Sequence, residues 1–187
     1  MEKFLMCVWA ALCLPMFVAC EEDEDDNLRD GREVHNKIER SDNIFFSEIF
    51  VNQTLTDLYD VVVTYEVNGK TSSEVVDLSA AEKRTASVYG TNFEVLGVLV
   101  SKKITDRPVK MTVNAQPKSS FDALLDAMNT DKIDLVYFVK CGNVKSESDV
   151  SFSKYLLDSS IKTSLGADVK KVKENKRTLL LGSSTVG

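Results

Sequence analysis

The sequence predicts a mainly β domain, an antiparallel β-sandwich of the immunoglobulin-like or a related type with one or two helices. Strand-like runs of aromatic and β-branched residues recur along the chain from residue 44 onward. Asn-Gly at 68–69 separates two of these runs, and only one segment has a clear helical period. These patterns leave one alternative open, an α+β arrangement in which a single sheet is covered by that helix.

The first strands begin the domain, which we expect to span residues 44–187. Residues 44–51 (IFFSEIFV) combine aromatic and β-branched side chains, which favour strands. Residues 59–67 alternate apolar and polar side chains, as a half-buried strand requires. Asn68-Gly69 joins this strand to KTSSEVVDL and predicts a hairpin with a type I′ turn, because both residues tolerate positive φ.

Three further strands are predicted over 84–90, 93–103 and 109–116. Gly90 and Asn92 mark a turn between the first two of them. Gly97 lies inside the second strand, where a glycine indicates a β-bulge or the close approach of another group.

Residues 119–130 (SSFDALLDAMNT) change to the period of a helix. One face of this helix collects four large apolar side chains, those of Phe121, Leu124, Leu125 and Met128. Ser119 or Ser120 can cap its N-terminus. The helix leads into 133–143 (IDLVYFVKCGN), an apolar run that predicts a central strand.

The C-terminal part carries weaker patterns. Residues 149–161 fit either a short helix or a strand, and 178–182 (TLLLG) fits a closing strand. Residues 167–177, between them, contain five cations: Lys170, Lys171, Lys173, Lys176 and Arg177. These cations fit either a solvated helix face or a surface that docks an acidic partner.

Residues 1–19 have the composition of a signal peptide. Lys3 supplies positive charge, and the run from Phe4 to Ala19 is apolar apart from Pro15 and ends in small residues. The run is shorter than the roughly 20 apolar residues that a membrane-spanning helix needs. We therefore predict cleavage after residue 19, the alternative being a buried N-terminal helix.

The segment Phe17-Val18-Ala19-Cys20 resembles the lipobox of bacterial lipoprotein precursors, with Phe17 where leucine is usual. A small residue before the cysteine lets the peptidase reach the bond, and the thiol carries the diacylglyceryl group. The resemblance implies lipidation of Cys20 and attachment to a membrane. A general secretory cleavage site, with Cys20 merely nearby, is the other interpretation.

An acidic run follows Cys20 directly, within a polar tether over residues 20–43. The run consists of Glu21, Glu22, Asp23, Glu24, Asp25 and Asp26. It resembles the acidic export signal of Bacteroidetes-type surface lipoproteins, which implies an outer-membrane lipoprotein that faces the cell exterior. The alternative is a solvated acidic spacer, since a block of like charges repels itself whatever its role.

The amino-acid composition limits the kinds of site that the domain can form. The net charge of −6 argues against nucleic-acid binding. The only histidine, His35, lies in the tether, so the domain lacks a Ser-His-Asp or Cys-His arrangement and a zinc site of the usual Cys/His type. Cys141 is the only cysteine after Cys20, and such a lone cysteine is most often a small buried hydrophobe. We predict no cofactor and no metal site.

These observations predict a lipid-anchored protein of the cell envelope whose domain is a non-catalytic binding or accessory module. Its expected partners are the outer membrane, through the anchor, and a protein or glycan ligand. One alternative is a structural subunit of a surface appendage that donates a C-terminal strand such as RTLLLG. The other is a carbohydrate-active enzyme that uses a pair of carboxylates without histidine.

Overall fold

The computed structural model describes residues 44–152 and 161–187. The signal peptide, Cys20, the acidic run and the tether, all predicted within residues 1–43, lie outside this part of the chain. Residues 153–160 of the ambiguous C-terminal segment also lie outside it.

Nine strands occupy most of the described chain: β1 (Ile44–Asn52), β2 (Tyr59–Val67), β3 (Lys70–Val75), β4 (Glu82–Val88), β5 (Thr91–Lys103), β6 (Val109–Pro117), β7 (Lys132–Val144), β8 (Lys162–Asp168) and β9 (Leu179–Val186). Sheet A has the strand order β4-β5-β1-β7-β8, and sheet B has the order β3-β2-β6-β9. Every pair of neighbouring strands in both sheets is antiparallel.

Short helices connect some of these strands: α1 (Gln53–Leu58), α2 (Phe121–Ala127) and α3 (Val169–Glu174). The first helix joins β1 to β2, the second joins β6 to β7, and the third joins β8 to β9. A 3₁₀ turn over Glu147–Asp149 follows β7.

The predicted fold class is confirmed, because two antiparallel sheets pack around a shared core with a few short helices. The single-sheet alternative is wrong, since sheet B forms a second layer. Helix α2 falls inside the predicted 119–130 helix, and the 178–182 segment belongs to β9. Ser120 occupies the N-cap of α2, but its side chain makes no capping hydrogen bond.

Strand β1, at the centre of sheet A, is buried on both faces. Phe45 and Ile49 on its inner face join the main core against sheet B. Phe50 on its outer face joins a second cluster, in which the rings of Phe138 and Phe152 lie 6.0 and 5.0 Å from it. A strand covered on both faces needs apolar residues at consecutive positions, which explains the stretches IFF and IFV on either side of Ser47 and Glu48.

Sheet B contributes to the main core through alternate residues. Val61 and Val63 of β2 and Met111 and Val113 of β6 are all fully buried. Full burial of such a side chain stabilises the fold by about 1.5–3 kcal/mol. Cys141 is a free thiol, and no disulfide crosses the described residues, so packing of this kind is the main source of stability.

Two tight hairpin turns have the backbone geometry that their sequences require. Asn68 and Gly69 have φ of 50° and 74° and join the paired residues Val67 and Lys70, which confirms the predicted type I′ turn. The second turn consists of Tyr89 and Gly90, with φ of 49° and 79°. It was predicted to include Asn92, but Asn92 already pairs within β5.

Gly97 marks a close approach of aromatic rings, one of the two possibilities predicted for it. A Cβ atom at this position would lie 2.5 Å from a ring carbon of Phe50 and 2.7 Å from a ring carbon of Phe152. Glycine therefore lets the outer cluster pack directly on the backbone of β5.

Asn52 links three elements of the fold, a role that the sequence patterns did not predict for it. Its Oδ1 accepts hydrogen bonds from the backbone N–H of Leu55, at the start of α1, and of Val136, in β7, at 3.3 and 3.1 Å. Its Nδ2 donates to the carbonyl of Asp134 at 2.8 Å. This buried side chain caps α1 and fixes its position against sheet A.

Tyr65 places a polar atom inside the main core. The side chain is 1% exposed, and its hydroxyl has no hydrogen-bond partner among the described residues. The ring also receives the Lys102 ammonium, whose Nζ lies 4.8 Å from the ring centroid. Burial is the main reason why the pKa of Tyr65 lies above its usual value of 10.0. Electrostatic interactions with Glu74 and Cys141 raise this pKa further.

We predict that Tyr65→Phe raises the free energy of unfolding at pH 7 by about 1 kcal/mol, because a buried hydroxyl without a partner costs about 1–3 kcal/mol. Urea denaturation would measure the change. Tyr89→Phe, at a side chain that is 91% exposed, makes the same chemical change and should leave the stability unaltered. A clear loss of stability in Tyr65→Phe would contradict this account of the core.

The same substitution should change the pH dependence of stability. The folded pKa of Tyr65 lies above the unfolded value of 10.0, so the unfolded chain releases this proton first. Ionisation of this group therefore leaves stability unchanged below about pH 10 and lowers it as the pH rises further. Urea denaturation in this alkaline range should therefore show a shallower decline for Tyr65→Phe than for the wild type.

Candidate functional site

A cleft opens on the side of the sandwich where β8 borders sheet A and β9 borders sheet B. Its volume is about 420 Å³. Leu135 and Tyr137 of β7 line it, together with Tyr59 at the start of β2 and Leu179 at the start of β9. Val172 of α3 also lines it. We call this feature the edge cleft.

The packing of β9 on β7 limits the edge cleft at one end. A Cβ atom at Gly182 would lie 2.6 Å from Cγ1 of Val139, so the absence of a side chain lets the two strands come into direct contact. Leu179 and Leu135 lie further along the same two strands and line the cleft. The cleft therefore lies beside a direct contact between the two sheets.

Tyr59 forms a fixed aromatic wall of the edge cleft. The side chain is 4% exposed, and its ring packs edge-on against Phe121 of α2, with ring centroids 5.2 Å apart and planes at 76°. Burial raises the pKa of Tyr59, and the positive charge of Arg177 opposes this shift. The phenol therefore stays protonated at neutral pH and can donate a hydrogen bond.

The rim of the edge cleft is polar, and two of its side chains form hydrogen bonds with the backbone of α3. The Oδ1 atom of Asp168 accepts hydrogen bonds from the backbone N–H of Lys170 and Lys171 at 3.0 and 3.2 Å, which caps the helix. The Nδ2 atom of Asn175 donates to the carbonyl of Lys171 at 2.8 Å. Lys171 and Arg177 complete this part of the rim.

The five cations predicted over 167–177 do not form one uniform patch. Lys173 contacts Asp126 of α2 at 2.8 Å, and Lys176 contacts Asp122 of α2 at 3.2 Å. The pKa of Lys173 is raised, mainly by its hydrogen bond to Asp126. These two ion pairs link α3 and the residues that follow it to α2, whereas Lys170, Lys171 and Arg177 have no ion-pair partner in the described part of the chain.

Cys141 packs against the main core, in agreement with its interpretation as a small hydrophobe. Its sulfur lies 3.7 Å from Oγ of Ser47, and that hydroxyl also donates to the sulfur of Met111 at 3.3 Å. Burial raises the pKa of the Cys141 thiol, so the thiolate that nucleophilic chemistry requires is disfavoured.

A second and more polar cavity, of about 670 Å³, lies at the start of α3. Asp126, Asp131 and Asp168 are among the residues that line it. Asp126 binds Lys173 and Asp168 caps α3, so two of the three carboxylates already have partners. No group of three His, Cys, Asp or Glu residues within 44–152 and 161–187 is arranged to hold a metal ion.

The site residues predicted from sequence, Cys20 and the acids Glu21 to Asp26, lie outside the described residues. Sequence reasoning did not identify the edge cleft. Its lining comes from Tyr59 in β2, from β7 and from the continuous segment 163–179, three parts of the chain that are distant in sequence. Of the sequence patterns, only the basic segment 167–177 indicated a binding surface in this region.

Comparison with protein-family models, with curated proteins and with solved structures finds no match to this chain. In the described part of the chain, every helix is too short or too polar to cross a membrane.

Proposed function

We propose that this chain is a lipid-anchored lipoprotein of the outer membrane, displayed on the cell exterior, whose sandwich domain binds a ligand without catalysing a reaction. The observation that carries the binding role is the edge cleft, with its apolar walls and a rim of a few polar side chains. Ligand sites in proteins typically have volumes of about 300–1,000 Å³ and this mixed lining.

Residue chemistry favours binding over catalysis. The only histidine of the chain is His35, in the tether, so the cleft has no imidazole to act as a general base. Cys141 packs against the core with a raised pKa, which disfavours covalent catalysis at this thiol. Lys171, Arg177 and the tyrosines are groups that hold a ligand by charge, hydrogen bonds and ring contacts.

The sequence before residue 44 supports the anchor. Ala19-Cys20 follows an apolar run of signal-peptide length, and the acidic run begins directly after Cys20. Stable attachment to a membrane takes more than one acyl chain, and a mature bacterial lipoprotein carries such a set on its first cysteine. The tether then separates the acyl chains from the sandwich.

The appendage-subunit alternative depends on exchange of a strand between chains. In this structure β9 pairs with β6 of its own chain over most of its length, so the C-terminal strand already has a partner. A donated β9 would first have to leave this register. Ladders of high-mass species after mild extraction would favour the appendage alternative over a monomeric binding domain.

We expect Cys20→Ala to abolish incorporation of a labelled fatty acid into the protein in cells, because the acyl acceptor is removed. Gel fluorography after immunoprecipitation would measure the label. Cys13→Ala, the same change within the signal peptide, should leave labelling intact. Undiminished labelling of Cys20→Ala would show that the anchor has been assigned to the wrong residue.

We expect a protease that cannot cross the outer membrane to degrade the domain on intact cells, as judged by immunoblot. Exchange of the six acids Glu21 to Asp26 for their amides should protect the domain, if these charges direct export. The matched control exchanges Asp30, Glu33, Glu39 and Asp42, which lie later in the tether, and should remain degradable. Protection of the wild type, with normal digestion in lysed cells, would instead place the domain in the periplasm.

Binding in the edge cleft should raise the melting temperature of the full chain in phosphatidylcholine nanodiscs. We expect at least one member of a panel of water-soluble organic acids, sugars and amines to do so in a concentration-dependent way. Ser164→Trp places a large ring in the cleft and should abolish the shift, whereas Ser183→Trp, at an exposed position of β9, should preserve it. Equal shifts in both variants would mean that the ligand binds elsewhere.

A further inference from the structure

The charges on the rim of the edge cleft indicate which kind of ligand fits it. Four cations lie within seven residues of one another along α3 and the segment that follows it, and they divide into two pairs. Lys173 and Lys176 are neutralised by the aspartates of α2. Lys171 and Arg177 line the cleft and have no ion-pair partner among the described residues.

The acid on this rim offsets only one of the two cationic charges in the cleft. Among the described residues, Asp168 is the one carboxylate that lines the cleft, and its Oδ1 accepts two backbone hydrogen bonds at the start of α3. No ion pair joins Asp168 to Lys171 or Arg177 in the described chain. The polar side of the cleft therefore presents excess positive charge on a protein whose net charge is −6.

The apolar part of the cleft lining is aromatic and aliphatic. Tyr59 and Tyr137 present rings, and Leu135 and Leu179 present aliphatic carbons. The ring of Tyr59 is held in place by Phe121, so little side-chain entropy is lost when a ligand packs against it. The hydroxyl of Tyr59 is a protonated donor beside Arg177, which suits an acceptor oxygen on the ligand.

We propose that the edge cleft binds a small organic anion with an aromatic or aliphatic body, its charged group held by Lys171 and Arg177 and its body packed against Tyr59 and Tyr137. This inference rests on the proposed binding role of the domain and adds the chemical class of the ligand. A carboxylate suits the site because arginine can bind both of its oxygens at once. A cation of the same shape is repelled by the two rim charges.

The test compares three compounds that share one body and differ in charge: 3-phenylpropionate, 3-phenylpropan-1-ol and 3-phenylpropylammonium. Saturation-transfer NMR on the full chain in phosphatidylcholine nanodiscs would give a Kd for each compound. We expect the carboxylate to bind most tightly and the ammonium compound most weakly. Ser164→Trp should abolish the saturable binding of the carboxylate.

Removing one positive charge at a time tests where the anionic group of the ligand binds. Lys171→Gln and Arg177→Gln should each weaken binding of the carboxylate by about threefold to tenfold and leave binding of the alcohol unchanged. Lys170→Gln is the matched control, since this cation belongs to the same helix and has no ion pair, but lines the polar cavity instead. All three side chains are exposed, so the variants should fold.

The outcomes separate the ligand class from the binding role. If the alcohol binds as tightly as the carboxylate and Ser164→Trp abolishes both, the cleft is a binding site but the preference for an anion is wrong. Equal losses in Lys170→Gln and Lys171→Gln would also overturn the proposal, because they indicate a general effect of charge. No saturable binding of the carboxylate at millimolar concentration would overturn it outright, whereas the compound panel judges the binding role independently.

Discussion

The burial of β1 on both faces is the constraint on which the rest of the domain depends. Its inner face forms part of the core against sheet B, and its outer face carries Phe50 into a second cluster with Phe138 and Phe152. The apolar side chains on the outer face of sheet A therefore have to be shielded from solvent, and Phe152 and Ile161 pack against them. Sheet A also needs Gly97, because a larger residue there would collide with two of these rings. Both clusters are thus anchored on one strand.

The strands other than β8, which was not predicted, were predictable because their signals are local. Alternation in β2, the Asn68-Gly69 turn and the apolar run of β7 each depend on residues within one segment. Helix α1 was missed because six residues are too few to display a helical period, and it lies directly between two strands. The asparagine that caps it, Asn52, was a usable signal, since asparagine is among the preferred N-cap residues.

The edge cleft was not predictable for a different reason. Its walls come from segments whose proximity depends on the pairing of β7 with β8 and on the packing of β9 over β7. The sequence indicated that residues 167–177 are basic, but it could not separate the cations that bind α2 from those that face the cleft. That division follows from the positions of Asp122 and Asp126 relative to α3, which is a tertiary property.

The place where the chain enters the fold has a mechanical consequence. Residue 44 begins β1, which pairs on one side with β5 and on the other side with β7, in both cases antiparallel. A pull on the preceding chain along the strand axis therefore loads two ladders of hydrogen bonds in shear, and many bonds must break together. A pull on an edge strand would instead open one ladder bond by bond. Under a load of this kind the domain's lifetime depends on its unfolding rate rather than on its equilibrium stability. Entry through the central strand therefore resists such a pull better than entry through an edge strand would.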